Sequence, residues 1–266
     1  MTDAAPAGLF RLTHTKVQTF LRCRKQYWYG YVSGERWPEE EDEPAALVIG
    51  NAVHRGMQEL CESDDPDVAR QRVDAYLRMP KHAAAAAGTP EYDVVMECLE
   101  AGISAHQSID STQRWAEQST WAPFGSRGIS VMAKIDRVDR LPDGRYQIID
   151  WKTGRYDDPY ITDEQLDIGH VAVRITQNLR GDVPVRAIAW NLRTGEQRIR
   201  ELERDDAAAT MKRMAGLARR MLGETEFPAS PGPHCGWCRW RDGCEEAEAL
   251  ESTDWEAEWD EAFVEA

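Results

Sequence analysis

The apolar residues of this chain keep a helical period in its first half and switch to alternation at Gly128. Residues 16–32 read as a helix that Thr13 or Thr15 can cap, with Val17, Phe20, Leu21, Tyr27 and Tyr31 at its apolar positions. Residues 45–60 repeat the pattern through Leu47, Val48, Val53, Met57 and Leu60, and 66–79 and 91–107 predict two further helices. A linker rich in Gly, Pro and acids fills 33–44, and the alanines at 83–87 mark a helix end or a link. Beyond Gly128, residues 129–141 alternate as a half-buried strand does, Pro142-Asp143-Gly144 signals a turn, and 145–151 form the returning strand of a hairpin. A helix over 161–177, strands over 184–192 and 196–202 about a Thr194-Gly195 turn, and a helix over 205–222 with an Asp cap complete the regular elements. Residues 228–244 are a Pro/Gly loop. This order predicts an α/β core with a helical N-terminal or inserted region.

The chain's 266 residues fit one domain, or one with an appendage, and 42% hydrophobic content supports a sizeable core. No apolar run approaches the roughly 18 residues a membrane span needs, and the first residues lack a basic-then-apolar leader, so a cytoplasmic protein is expected. The net charge of −15 argues against a polyanionic partner until its distribution is considered. Residues 245–266 carry ten acids and no Lys or Arg, and Glu39 to Glu43 are five acids in a row. Without these fifteen the chain is neutral. It also holds basic clusters at Arg22, Arg24 and Lys25, at Lys212 and Arg213, at Arg219 and Arg220, and at Arg239 and Arg241. Such stripes suit a phosphate backbone.

Asp136, Asp150 and Lys152 carry the candidate chemistry. Phosphodiester hydrolysis benefits from a cation that neutralises the phosphate and acidifies a bound water, and Mg²⁺ or Mn²⁺ favours a few carboxylates. On adjacent antiparallel strands Asp136 and Asp150 could share one ion, with the Trp151 carbonyl as a further ligand. Lys152, two residues after Asp150, points to the same face and can orient the water. Cysteine supplies a second constellation. Cys235, Cys238 and Cys244 lie close in sequence and Cys23 lies near the start, while Cys61 and Cys98 sit in apolar helical contexts and read as buried bystanders. Four such thiols suit either Zn²⁺ or a [4Fe–4S] cluster, and either would tie together distant parts of the chain. No phosphate-binding Gly-x4-Gly-Lys-Ser/Thr motif is present, so any helicase motor would be a partner.

Ala133-Lys-Ile-Asp136-Arg-Val-Asp139, Asp143-Gly144 and Ile148-Ile-Asp150-Trp-Lys152-Thr-Gly154 together resemble motifs II and III of the PD-(D/E)XK nuclease superfamily. The likeness is to its RecB-type branch, which includes the CRISPR-associated iron–sulfur exonucleases and the AddB nuclease domain. Gly50-Asn-Ala-Val-His54 resembles that branch's Gly-x-x-x-His motif, Gln165-Leu166 its glutamine motif, and Cys23 with Cys235, Cys238 and Cys244 its four cluster ligands. The resemblance implies a restriction-endonuclease-like core, with a mixed central sheet flanked by helices, over residues 1–244. It implies a helical region at 45–115, a C-terminal Fe–S cysteine loop and an acidic tail at 245–266. His54, Asp136, Asp150 and the Trp151 carbonyl would hold Mg²⁺ or Mn²⁺, Lys152 would activate water, Gln165 would orient the site, and the cysteines would hold [4Fe–4S] in preference to Zn²⁺. The implied activity is exonucleolytic, on single-stranded DNA, in repair or recombination, phage replication or CRISPR adaptation, with a helicase, recombination or CRISPR-adaptation protein as a conceivable partner. A structure-specific endonuclease and a non-catalytic DNA-binding or assembly module are the alternatives. The chain departs from the pattern at Gln58, where a glutamate is common one turn after the histidine, and at Gly169 and His170, where a tyrosine usually ends the glutamine motif.

Overall fold

A computed structural model describes residues 10–34, 43–123, 128–154 and 159–248. The chain divides into two compact units, one of residues 1–14 and 40–218, the other of residues 15–39 and 219–266.

The larger unit is built on a mixed six-stranded sheet. Its strands are β1 (Phe10–Thr13), β2 (Gln113–Pro123), β3 (Ile129–Arg140), β4 (Tyr146–Lys152), β5 (Val185–Asn191) and β6 (Gln197–Leu202). β3 is the organising strand. β2 lies antiparallel along one of its edges, from Ser130 to Arg140. The other edge is divided: β1 runs parallel to Ile129–Met132, and β4 runs antiparallel to Arg137–Arg140. No described strand pairs with residues 133–136 on that edge. β5 adds parallel to β4 and β6 antiparallel to β5. The alternating stretches of the sequence become β3, β4, β5 and β6, and the Pro142-Asp143-Gly144 turn closes as expected, with Gly144 at φ +85° donating its N–H to Leu141 O at 2.9 Å.

Two strands were not read from the sequence. β1 has four residues, too few for a period to register, and β2 carries Arg114, Glu117 and Gln118, so its pairing with β3 rather than its hydrophobicity makes it a strand.

Helices α3 (Ala45–Ser63), α4 (Pro66–Leu77) and α5 (Pro90–Ser108) form one block, and the alanine run becomes a 3₁₀ turn, Pro80–Ala85, that buries His82 and Ala85. Val48, Val53, Leu60, Val73 and Leu99 pack with Ile149, Trp151 and Ile188, so this block covers one face of the sheet. Each such side chain, fully buried, contributes about 1.5–3 kcal/mol. Gly56 makes the close crossing possible. A Cβ there would lie 2.7 Å from Val73 Cγ2 and 2.8 Å from Leu99 Cδ1. α6 (Pro159–Thr176) packs on the opposite face, where a Cβ at Gly169 would be 3.0 Å from Ile148 Cδ1 and 3.8 Å from Ile135 Cγ1. The absence of a side chain at 169 thus sets how closely α6 approaches the sheet. α7 (Arg204–Leu222) begins with Asp206 accepting the Glu203 N–H at 2.7 Å, the reciprocal half of a capping box.

In the smaller unit the helix expected over 16–32 is broken in two, α1 (His14–Arg22) and α2 (Arg24–Tyr31). Cys23 is the break. It adopts φ −153° and ψ 113°, and its Sγ accepts the Gln26 N–H at 3.4 Å, which makes it the N-cap of α2. The cysteine loop has one 3₁₀ turn, Pro233–Trp237, and is followed by the single-turn α8 (Glu245–Glu248). The acidic tail from 249 onward lies outside the described residues. Among the described residues no helix is long and apolar enough to cross a membrane.

Candidate active site

The pleat of β3 changes phase at Asp136. Ile135 and, across the hairpin, Ile148 both lie against Gly169 of α6, and Val138 is paired with Ile148. Arg137 and Asp139 instead face the helical block, where Arg137 Nη1 is 2.8 Å from His106 Nδ1 of α5. In an unbroken strand 135, 137 and 139 would share one face. The β2–β3 ladder also lapses here. Ala116 pairs with Arg137 and Gln118 with Ile135, while the intervening pair, Glu117 opposite Asp136, makes none, and Glu117 sits at φ +46°. Asp136 therefore stands where β3 turns over, within reach of groups from both sides of the sheet.

From the helical block comes His54, on α3, with Nδ1 3.2 Å from Asp136 Oδ1. From β4, Trp151 donates its N–H to Asp136 Oδ2 at 2.9 Å, taking a side-chain acceptor where the β3–β4 ladder has ended. The Trp151 indole is buried in the core. From the α6 side come Asp150, Lys152 and Gln165. Lys152 Nζ lies 2.8 Å from Asp150 Oδ2 and donates to Gln165 Oε1 at 2.7 Å, and Gln165 Nε2 donates to Asp150 Oδ1 at 2.6 Å. The three side chains close a ring. An amide suits position 165, because its carbonyl accepts from the ammonium while its NH₂ donates to the carboxylate.

Burial pushes the Asp150 carboxyl up to about 6, the nearby Asp136 charge acting in the same direction against the Lys152 ammonium. His54 also moves up. Burial disfavours its cation, but the Asp136 and Asp150 charges outweigh that.

One group of donors able to hold a cation converges within 4.8 Å among the described residues: His54, Asp136 and Glu117. Glu117 was not read from the sequence, because β2 was not. Its cross-strand register with Asp136 would have exposed it had the strand been recognised. Glu117 also forms an ion pair with Lys134. Gln58, one turn after His54, donates to Glu62 Oε1 at 3.0 Å. The donor set suits a hard divalent ion, with carboxylates in the majority and one imidazole. Asp150 Oδ2 is buried and has the Lys152 ammonium as its partner.

In the smaller unit Cys23, Cys235, Cys238 and Cys244 line one recess, together with Lys25, Tyr29, His234 and Trp240. Trp240 is buried and stacks on Tyr29 with ring centres 4.9 Å apart, so it packs the recess. Burial pushes the Cys238 and Cys244 thiols up. Lys25 Nζ meets Glu246 Oε2 at 2.6 Å at the rim, and that carboxylate accepts from Cys244 Sγ at 3.5 Å. Cys61 and Cys98 are buried in the larger unit and do not line this recess, as expected of bystanders, and burial pushes Cys61 up to about 11.

A sheet whose central strand turns over at an aspartate, followed by an Asp-x-Lys strand and a helix that locks the lysine, is the frame of a nuclease fold. The profile of the PD-(D/E)XK nuclease superfamily matches residues 11–245, and the chain belongs to that superfamily. None of the curated proteins matches significantly. Among solved structures, a "Putative exonuclease" from Eubacterium rectale is similar at 15% identity and a TM-score of 0.52, over 86% of this chain and 87% of that one. SSO0001 is 14% identical, over 87% of this chain and 94% of that one, with a TM-score of 0.34.

Proposed function

We propose that this protein is a Mg²⁺- or Mn²⁺-dependent deoxyribonuclease that degrades single-stranded DNA from its ends and carries a [4Fe–4S] cluster on Cys23, Cys235, Cys238 and Cys244. The observation that carries the reading is the gathering of His54, Asp136, Asp150, Lys152 and Gln165 at the point where β3 turns over. A bound divalent ion would neutralise the scissile phosphate and acidify a water. His54, Asp136 and Asp150 are the side chains to hold it. The N–H and C=O of one strand residue point to the same neighbour, so the Trp151 carbonyl, like its N–H, faces the Asp136 side and is available as a ligand. Lys152 is held by two acceptors, so its ammonium is fixed beside the carboxylates, where it can orient the attacking water and offset charge developing on the phosphate. Gln165 is a positioning residue that fixes both Asp150 and Lys152.

Exonucleolytic action on single strands follows the motifs' resemblance to the RecB-type branch, and the Eubacterium rectale neighbour bears an exonuclease name. The cluster is supported by the four thiols on one recess. The preference for [4Fe–4S] over Zn²⁺ follows the same resemblance.

The test is degradation of DNA labelled separately at each end, using anaerobically purified protein with Mn²⁺ or Mg²⁺. Release of terminal nucleotides that is lost in Lys152→Ala, by at least about 10²-fold, is the expected result. Internal cuts without terminal release would replace the exonuclease with an endonuclease. An inactive wild type of full iron content would leave the assembly module.

A further inference from the structure

We propose that Arg198 and Arg200 of β6 are positioning residues for the active site, acting through α6 on Gln165. The inference rests on the metal-dependent nuclease reading and deepens it. Paired residues of neighbouring strands share a face, and two rows of the register lead from the active-site strand across to β6. Asp150 pairs with Ala189 and Ala189 with Arg198, while Ile148 pairs with Ala187 and Ala187 with Arg200. Both arginines therefore stand on the α6 face of the sheet, two strands from Asp150. The residues between them on β5 are buried alanines, over which α6 passes.

The helix is gripped along both flanks. On one side Gln165 reaches Asp150 and Lys152 of β4. Asp163 and Asp167, two residues before and after it, are each turned about 200° from it around the helix axis and reach the other way. Arg198 donates to Asp163 through two parallel bonds, Nε to Oδ1 at 2.5 Å and Nη2 to Oδ2 at 2.7 Å. Arg200 Nη1 lies 2.7 Å from Asp167 Oδ1, and Arg213 Nη2 of α7 donates to Asp167 Oδ2 at 3.1 Å. The two ladders are in step, since four helical residues rise about 6 Å and two strand residues about 6.6 Å. Buried side chains such as Leu166 and Val173 keep α6 in the core, but apolar burial is non-directional. The directional ion pairs fix how the helix is rolled. With side-chain tips about 5–6 Å from the axis, a roll of about 10° moves Gln165 by about 1 Å. A misplacement of about 1 Å, even from a distant substitution, can cost about 10²-fold in rate.

The experiment follows the Gln165 side-chain amide by ¹⁵N–¹H nuclear magnetic resonance in the intact, cluster-loaded protein, the signal being identified by its loss in Gln165→Glu. Single-strand degradation with Mn²⁺ is measured on the same samples. In Arg198→Met/Arg200→Met the amide protons should exchange with water at least about tenfold faster than in wild type, because their bond to Asp150 is released. In that variant kcat should fall by about 10²-fold with KM and Mn²⁺ affinity unchanged. Arg198→Lys, which keeps the charge and loses the planar fork, should move both readouts the same way by a smaller factor. Ion pairs that serve stability alone would lower the unfolding temperature and leave the folded protein with wild-type amide exchange and wild-type kcat, and that result would overturn the proposal. Faster amide exchange in the variants of a protein whose wild type cleaves no DNA would keep the positioning role and remove the nuclease reading instead.

Discussion

Substitution of Asp139 by asparagine should cost far more stability than a typical ion-pair deletion, and the structure supplies the reason. Asp139 and Arg137 are 0% and 1% exposed, two residues apart on β3 and therefore on one face. Arg137 Nε reaches the Asp139 oxygens at 3.0 and 2.8 Å, and Nη2 reaches Oδ1 at 2.9 Å. The remaining Nη1 meets His106 Nδ1 at 2.8 Å. That imidazole must present a lone pair to Arg137, and burial, aided by the Arg137 and Arg114 charges, holds it below the usual histidine range. Asp139 is therefore the counter-ion for a guanidinium that water does not reach. An amide in place of this carboxylate would keep part of the geometry and none of the charge. Leaving one member of a buried pair without its partner costs about 3–5 kcal/mol, whereas replacing both by apolar side chains is often neutral. Urea unfolding of Asp139→Asn, followed by circular dichroism, should show a loss in that range. The double variant Arg137→Met/Asp139→Leu should recover most of it, with a residue of about 1 kcal/mol for the His106 acceptor left without its donor. Asp143→Asn, which breaks the exposed pair with Arg145, should leave the curve unmoved. A loss below about 1 kcal/mol in Asp139→Asn, or a double variant as unstable as the single one, would refute the reasoning.

Two further outcomes follow from burial. His170 is fully buried on α6, and that burial, with the Arg174 charge, pushes it down to about 4. Because the unfolded chain then binds a proton that the native state refuses, stability should fall as pH drops from about 6.5 to 4, by up to about 3 kcal/mol. His170→Leu should flatten that slope in urea titrations, and a slope unchanged in the variant would assign it to other groups. Gly56→Ala should destabilise by about 1–3 kcal/mol through its collisions with Val73 and Leu99. Gly216→Ala on α7, whose Cβ would meet nothing within 4 Å, should stabilise by up to about 1 kcal/mol. The same sign for both in thermal unfolding would show that helix propensity rather than packing decides.

The helical block was legible because its apolar positions repeat over many turns: Val48, Val53, Met57 and Leu60 are buried, while Leu47, read with them, is 42% exposed. The β3–β4 hairpin was legible from alternation and the Asp143-Gly144 turn. β1 and β2 were not, since one is four residues long and the other owes its form to its partner. With β2 went Glu117, a site-facing residue whose neighbours in sequence give no hint of chemistry. The break at Cys23 was equally hidden, because the apolar spacing runs through it while the thiol's capping bond to Gln26 N does not show in any period. The asymmetry is physical. Local periodicity is written in consecutive residues, whereas the turnover of β3 at Asp136 depends on which strands happen to share its edge.

The ring formed by Asp150, Gln165 and Lys152 makes the site vulnerable to slow chemical ageing. Hydrolysis of the Gln165 amide would change the mass by a single unit and the fold hardly at all. It would, however, set a new carboxyl group at 2.6 Å from Asp150 Oδ1, where an N–H now stands. Two carboxylates at that separation cannot both stay ionised. One would keep a proton, and where Asp150 is the one that keeps it, the charge that holds Lys152 passes to residue 165. Stored protein could thus lose its chemistry while passing every test of foldedness, and the fault would be found only by weighing the peptide that contains residue 165.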